Sequence, residues 1–294
     1  MPAPSLTAQQ VQDSISGVAD VQALDAGGHA AIFSCTIDGR SYALKVLRDP
    51  AADPQASRSA VERAMREISI LRECSTPHLV RAGPRGLEPF QVAGERYLCF
   101  TEELVDGENL RRTLNTVGPL DASEVARLGL EVGLAVASIW DRRTVHRDLK
   151  PENIMRRRAD GSFVLLDCGI AFDLDASSLT PTGFSSPATP IYLSPEQAQH
   201  GRKRDLDFRS DLFSLGIVMY EVLVGYHPFR LGATSVLAVV NNIVAVHPPP
   251  PSQLRPTATS ALDSVIMRLL AKRPHMRFRS CEDFLQMVKG IGLV

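Results

Sequence analysis

His146-Arg147-Asp148-Leu149-Lys150-Pro151-Glu152-Asn153 is followed, nineteen residues after Asp148, by Asp167-Cys168-Gly169 at the end of the apolar run Val164-Leu165-Leu166. Taken alone, Asp148 reads as a helix cap or a loop acid. Asn153 and Asp167 at these intervals weigh against a purely architectural reading and mark the segment as the chemical centre of the chain. His146 reads as a packed, hydrogen-bonded residue that shapes the loop rather than as a base. The Val164-Leu165-Leu166 run reads as a short buried strand that delivers Asp167 at its end.

Upstream of this centre the pattern is that of a small sheet carrying one helix. Two strand-like runs, 31–37 and 41–47, are separated by Asp38-Gly39, a dipeptide that favours a tight hairpin. Val61, Met65, Ile68 and Leu71 recur at helical spacing within 57–74, and strand-like segments follow at 79–82 and 97–103. Beyond Asp106-Gly107 helices dominate. Ser123 is placed to cap a helix in which Val125, Leu128, Val132, Val136 and Ile139 recur. Residues 212–223 are apolar nearly all round, as a central helix should be, and 231–246 reads as another buried helix. Amphipathic helices are expected at 260–270 and 281–288. This divides the chain into residues 1–104 and 105–294, with roughly the first 18 residues a flexible extension.

Composition excludes several classes. With 44% hydrophobic and 22% charged residues, the 294-residue chain is neither disordered nor fibrous. Lys+Arg 32 against Asp+Glu 33 leaves a net charge of −1, so no global field directs it to nucleic acid or an anionic membrane. The five cysteines are widely spaced, with no C-x-x-C pair, which argues against a disulfide framework or a zinc site and for a reducing compartment. With no basic, continuously apolar leader and no apolar stretch suited to a membrane span, the chain reads as cytoplasmic.

The His146–Asn153 segment with Asp167-Cys168-Gly169 resembles the catalytic loop and metal-binding Asp-x-Gly of the protein kinase family, in which Phe is commoner at the middle position. Tyr42-Ala43-Leu44-Lys45 looks like the family's strand ending in the phosphate-binding lysine. Glu67, twenty-two residues later, stands where its ion-pair partner belongs, although a Lys–Glu pair taken alone is as readily architectural. The Gly-rich loop, Leu24-Asp25-Ala26-Gly27-Gly28-His29-Ala30-Ala31-Ile32, has Asp25 and Ala30 at the outer glycine positions, which predicts weakened ATP binding. Ser177, Ser178, Thr180, Thr182, Ser185, Ser186 and Thr189 lie in a segment similar to an activation segment, ending in Ser194-Pro195-Glu196. Arg147 beside Asp148 is placed to hold a phosphate on that segment. Arg277 is placed to pair with Glu196, and Asp211 and Gly216 match the family's buried helix. Arg202-Lys203-Arg204 reads as a solvated loop.

The resemblance covers about residues 20–290 and implies an α+β, two-lobed protein-kinase-like fold, a small antiparallel sheet plus one helix over a mostly helical larger lobe. Lys150 with Pro151-Glu152-Asn153 looks like the Ser/Thr-specific rather than the Tyr-specific form, and the Tyr192–Gln197 run is similar to the soluble catalytic domains of bacterial eukaryotic-like Ser/Thr kinases. The implied activity is transfer of the ATP γ-phosphate to Ser/Thr hydroxyls of protein substrates, with autophosphorylation, and with no nucleic-acid partner and no membrane span. Asp148 and Lys150 would be catalytic. Leu24, Gly27, Gly28, Ile32, Ala43, Lys45 and Glu67 would bind or position ATP, and Asn153 and Asp167 would hold Mg²⁺. Counting back from Asp106-Gly107 puts Glu102 at the family's gatekeeper position, and a one-residue insertion puts Thr101 there. Thr101 is preferred, because a carboxylate suits an apolar pocket poorly. Two rivals remain: a pseudokinase scaffold with weakened ATP binding, and a small-molecule phosphotransferase.

Overall fold

The computed structural model describes residues 3–27, 30–49, 54–167, 189–199 and 206–292, which form two compact units. Among these residues, the first unit takes in those up to 74 and 80–105, and the second takes in 75–79 and those from 106 onward.

In the first unit, α1 (Ala8–Ser14) precedes β1 (Ala19–Gly27), β2 (Ala30–Ile37), β3 (Arg40–Arg48), α2 (Pro54–Glu73), β4 (Glu88–Val92) and β5 (Glu95–Glu103). The strands form one antiparallel sheet in the order β1-β2-β3-β5-β4. Asp38 and Gly39 turn β2 into β3 with φ of 50° and 75°, the left-handed pair that matches the twist of a two-residue hairpin.

Alternation then sorts the strand side chains. Phe33, Cys35, Leu44, Val46 and Cys99 form a core together with Val11 and Ile15. Residues 3–18 therefore correct the expectation of a flexible extension. Thr7 and Gln10 make a reciprocal capping box that stops α1 from fraying, and Val11 is completely buried. Ala64 and Ile68 of α2 pack with Phe100, Leu47 and Leu87. The buried stripe of α2 takes in Ala64, Glu67, Ile68, Ile70 and Leu71, whereas Met65, expected on the apolar face, is 54% exposed. Ile68 and Leu71 are buried as expected, but an acid belongs to this stripe too, which hydropathy alone does not foresee.

The second unit contains β6 (Gly107–Asn109), α3 (Leu110–Thr116), α4 (Ala122–Trp140), β7 (Ile154–Arg157), β8 (Phe163–Leu165), α5 (Pro195–Ala198), α6 (Phe208–Val224), α7 (Val236–Ala245), α8 (Ser260–Leu269) and α9 (Cys281–Lys289). Its small sheet has the order β6-β7-β8. Helix α6 is buried along nearly its whole length and packs against α4 and α8. A Cβ at Gly216 would sit 2.7 Å from Leu269 Cβ, so only glycine allows α6 and α8 this approach.

Three further expectations are corrected. Asp121, not Ser123, caps α4, because its carboxylate accepts from the Glu124 N–H at 2.9 Å while the Ser123 hydroxyl donates to it. The helix expected over 231–246 is shorter and half exposed: in α7 Val239 and Ile243 are buried, but Leu237 is 68% exposed, and Leu231, 77% exposed, lies before the helix. Residues 79–82 make only single bridges, Leu79 to Leu165 and Ala82 to Glu102, and 75–79 belong with the second unit. There Leu165 donates its N–H to the His78 carbonyl at 2.8 Å.

Candidate active site

In the first unit, the register of the central strands decides which side chains meet. Lys45 on β3 is paired with Ile32 on β2 and Phe100 on β5, and Ala43 is paired with Glu102. Directly opposed residues share a face of the sheet. Lys45, Ala43, Ile32, Phe100 and Glu102 therefore stand on one face, and Leu44 and Thr101 stand on the other. The Lys45 ammonium, 5% exposed, lies 2.9 Å from Glu67 Oε1 and 2.8 Å from Glu102 Oε1. Thr101 turns the other way. Its hydroxyl accepts from the Arg85 N–H at 2.9 Å and donates to the Arg85 carbonyl at 3.2 Å. Thr101, preferred for the gatekeeper position, thus stands on the face away from Lys45, and pleat parity brings Glu102 to the lysine instead.

Other expected nucleotide-site residues are less closely gathered. Ile32 and Ala43 are partly buried on the Lys45 face. Leu24 lies where the β1–β2 register shifts between Ala23 and Asp25, and it is 51% exposed. Gly27 pairs with Ala30 at the end of the hairpin. Gly28 lies outside the described residues, as do Cys168, Gly169, the six activation-segment hydroxyls from Ser177 to Ser186 and the Arg202–Arg204 run.

In the second unit, the loop after α4 is held from below by Asp211 of α6, whose carboxylate accepts the N–H groups of His146 at 2.7 Å and Arg147 at 2.8 Å. Burial raises the Asp211 carboxyl above its usual range, and these two N–H donors work against that rise. His146 is wholly buried. Its Nε2 donates to the Leu166 carbonyl at 2.9 Å, which leaves Nδ1 to accept the Asp148 N–H at 3.3 Å. One neutral imidazole thus links the loop to the end of β8.

The Asp148 side chain is fixed by two donors, Lys150 Nζ at 2.8 Å and Asn153 Nδ2 at 3.1 Å, and Asn153 Nδ2 also reaches the Asp148 carbonyl at 2.8 Å. With its nitrogen turned to Asp148, Asn153 has its amide oxygen left for a cation. The Asn153 carbonyl accepts the Leu166 N–H at 2.8 Å, which ties it to the residue before Asp167. An amide oxygen and a carboxylate form a hard donor set that fits a hard divalent ion. Arg147 and Asp167 both have positive φ, 71° and 46°, a costly backbone for non-glycine residues and one concentrated at functional sites.

The model of the family described as the protein kinase domain matches residues 19–288. The chain belongs to the protein kinase family. Its curated relatives include serine/threonine-protein kinase pkn3 of Myxococcus xanthus, 34% identical over 84% of this chain and 44% of that protein. PknB of Mycobacterium leprae is 35% identical over 83% of this chain and 38% of its own length. The chain thus spans about two fifths of such relatives. The kinase domain of Mycobacterium tuberculosis PknI shares the fold, with a TM-score of 0.68, 24% identity, and coverage of 95% of this chain and 97% of that one.

Within this kinase domain, the stretch before Ser194-Pro195-Glu196 is also tightly held. The Tyr192 hydroxyl donates to Glu221 at 2.6 Å and accepts from Arg111, which in turn reaches Glu152 and Glu221 at 2.9 Å. Sequence reading passed over this network, since Arg111 and Glu221 lie 110 residues apart without a motif. Arg277, 1% exposed, makes a two-pronged pair with Glu196 at 2.7 and 2.9 Å. Among the described residues, no helix is long and apolar enough to cross a membrane.

Proposed function

We propose that this chain is an ATP-dependent protein Ser/Thr kinase that passes the γ-phosphate to Ser and Thr hydroxyls of protein substrates, itself included. The observation that carries the reading is the Asp148 carboxylate held between Lys150 and Asn153 at 2.8 and 3.1 Å. A carboxylate so aimed is suited to accept the proton of an incoming hydroxyl as its oxygen attacks phosphorus.

Lys45, aimed by Glu67, supplies an ammonium for the α/β-phosphates, and Lys150 supplies a second cation for charge that grows on the transferred group. Asn153 and Asp167 would hold Mg²⁺. The ion, when bound, neutralises phosphate charge, and the protein's own contribution is positioning and electrostatics. Ile32 and Ala43, with Leu24, would receive the adenine, and Gly27 and Gly28 the phosphates. The relatives' names and Lys150 two residues after Asp148 favour Ser/Thr over Tyr acceptors. A cytoplasmic setting supplies ATP and suits the four buried cysteines that stand outside any disulfide among the described residues.

The test is transfer of radiolabel from γ-labelled ATP by wild type and Asp148→Asn, to the chain itself and to a mixed protein substrate. Labelling of Ser and Thr by wild type alone is expected. Equal or absent labelling in both would replace this reading with the scaffold. Label on small molecules only would replace it with a small-molecule phosphotransferase.

A further inference from the structure

Lys45 has a second buried carboxylate partner that the proposed reaction does not use. Glu102 is 3% exposed, and its Oε1 lies 2.8 Å from Lys45 Nζ, as close as the Glu67 contact at 2.9 Å. Pairing of Ala43 with Glu102 fixes the arrangement, because it places Glu102 one strand over and two residues along from Lys45 on the same face. Glu67 comes from α2, so the ammonium is held from the helix on one side and from the sheet on the other.

We infer that Glu102 is an internal competitor of nucleotide phosphate for Lys45, and so a positioning residue that sets the affinity for ATP. The inference rests on the kinase reading of Lys45. An ammonium has three N–H donors, and in this structure one is directed to Glu67 and one to Glu102. A phosphate oxygen that approaches Lys45 meets a fixed negative charge within hydrogen-bond reach of the same nitrogen. In a buried setting that repulsion is little screened by water. Binding must therefore either displace Glu102 from Lys45 or bring phosphate beside its carboxylate, and both weaken the complex.

The two acids differ in what they do for the lysine. Glu67 lies on the buried stripe of α2 and aims Lys45. Glu102 takes up donor capacity that the phosphates need. A neutral side chain at 102 leaves Glu67 in place and frees that capacity. An ordinary scaffold salt bridge has a different signature, because its loss lowers stability and alters all ligands of the site alike.

The experiment is titration of ATP, ADP and adenosine into wild type, Glu102→Gln and Glu102→Met, followed by calorimetry, with the Tm of each variant and the KM and kcat for ATP measured alongside. Both variants are expected to bind ATP and ADP about tenfold more tightly, the scale of one charge-assisted hydrogen bond, while adenosine binds within about twofold of wild type. KM for ATP should fall by more than kcat changes. Glutamine preserves the shape of glutamate, so the test stands if the methionine variant does not fold. Unchanged or weaker ADP binding by folded Glu102→Gln overturns the inference, as does an equal gain for adenosine. Wild type that binds neither ATP nor ADP removes the nucleotide reading and this inference with it. Wild type that binds ADP but transfers no phosphate removes only the kinase activity.

Discussion

His146 holds the Leu166 carbonyl at 2.9 Å from a position with no solvent exposure, so the loop bearing Asp148 and the strand end bearing Asp167 are fixed to a single imidazole. His146→Phe leaves that carbonyl and the Asp148 N–H without their partner. A loss of about 1–3 kcal/mol is expected, with lower kcat. Denaturant unfolding read against turnover checks this, and an unaltered midpoint would show that the bond contributes nothing to the fold.

Asp148→Asn keeps the size of the side chain and removes the proton acceptor. Transfer should fall by about 10²–10⁴-fold while ATP binding and Tm stay close to wild type. Single-turnover labelling is the measurement. A variant with more than a tenth of wild-type rate would exclude Asp148 as the base.

Arg277 is buried against Glu196 and donates as well to the carbonyls of Ala271 and Arg209. Glu196→Ala therefore strands a buried guanidinium, and a loss of about 3–5 kcal/mol is expected by chemical denaturation. A loss below about 1 kcal/mol would place this pair with ordinary surface bridges.

His227 donates from Nε2 to the Ile191 carbonyl at 2.8 Å and accepts the Phe229 N–H on Nδ1 at 3.2 Å, an arrangement open only to the neutral ring. Burial lowers its pKa from 6.5 to about 4. Between these values the unfolded chain binds the proton and the folded chain does not, so stability falls as pH drops from 6.5 and levels off below about 4. The total is about 3 kcal/mol. His227→Gln should flatten this part of the stability–pH curve, and parallel curves for the two proteins would refute the assignment.

The sequence was most legible where one local rule acts unopposed. Asp38-Gly39 favours a tight hairpin, and α6 is apolar nearly all round over 212–223, so both appear in the structure as expected. The loop around Asp148 was legible because its residues are close in the chain and meet through short local bonds. The reading failed where tertiary context decides. Glu67 pairs with Lys45 as expected from the family resemblance, but the hydropathy pattern of α2 gives no place on its buried stripe to an acid. Glu102 and Thr101 exchange roles with a one-residue change of parity, and only the β3–β5 register fixes that parity. Helix α7 is as apolar as a core helix yet leaves Leu237 exposed, so composition overstated its burial.

Helix α1 lies wholly before residue 19, where the match to the kinase family begins. Expression boundaries drawn at that residue would strip the cover from a sheet face made of Phe33, Leu44, Val46 and their neighbours. The trimmed domain would then carry a sticky apolar flank and tend to self-associate. Poor yield from such a truncation would reflect a missing lid on the sheet rather than any defect in the catalytic residues.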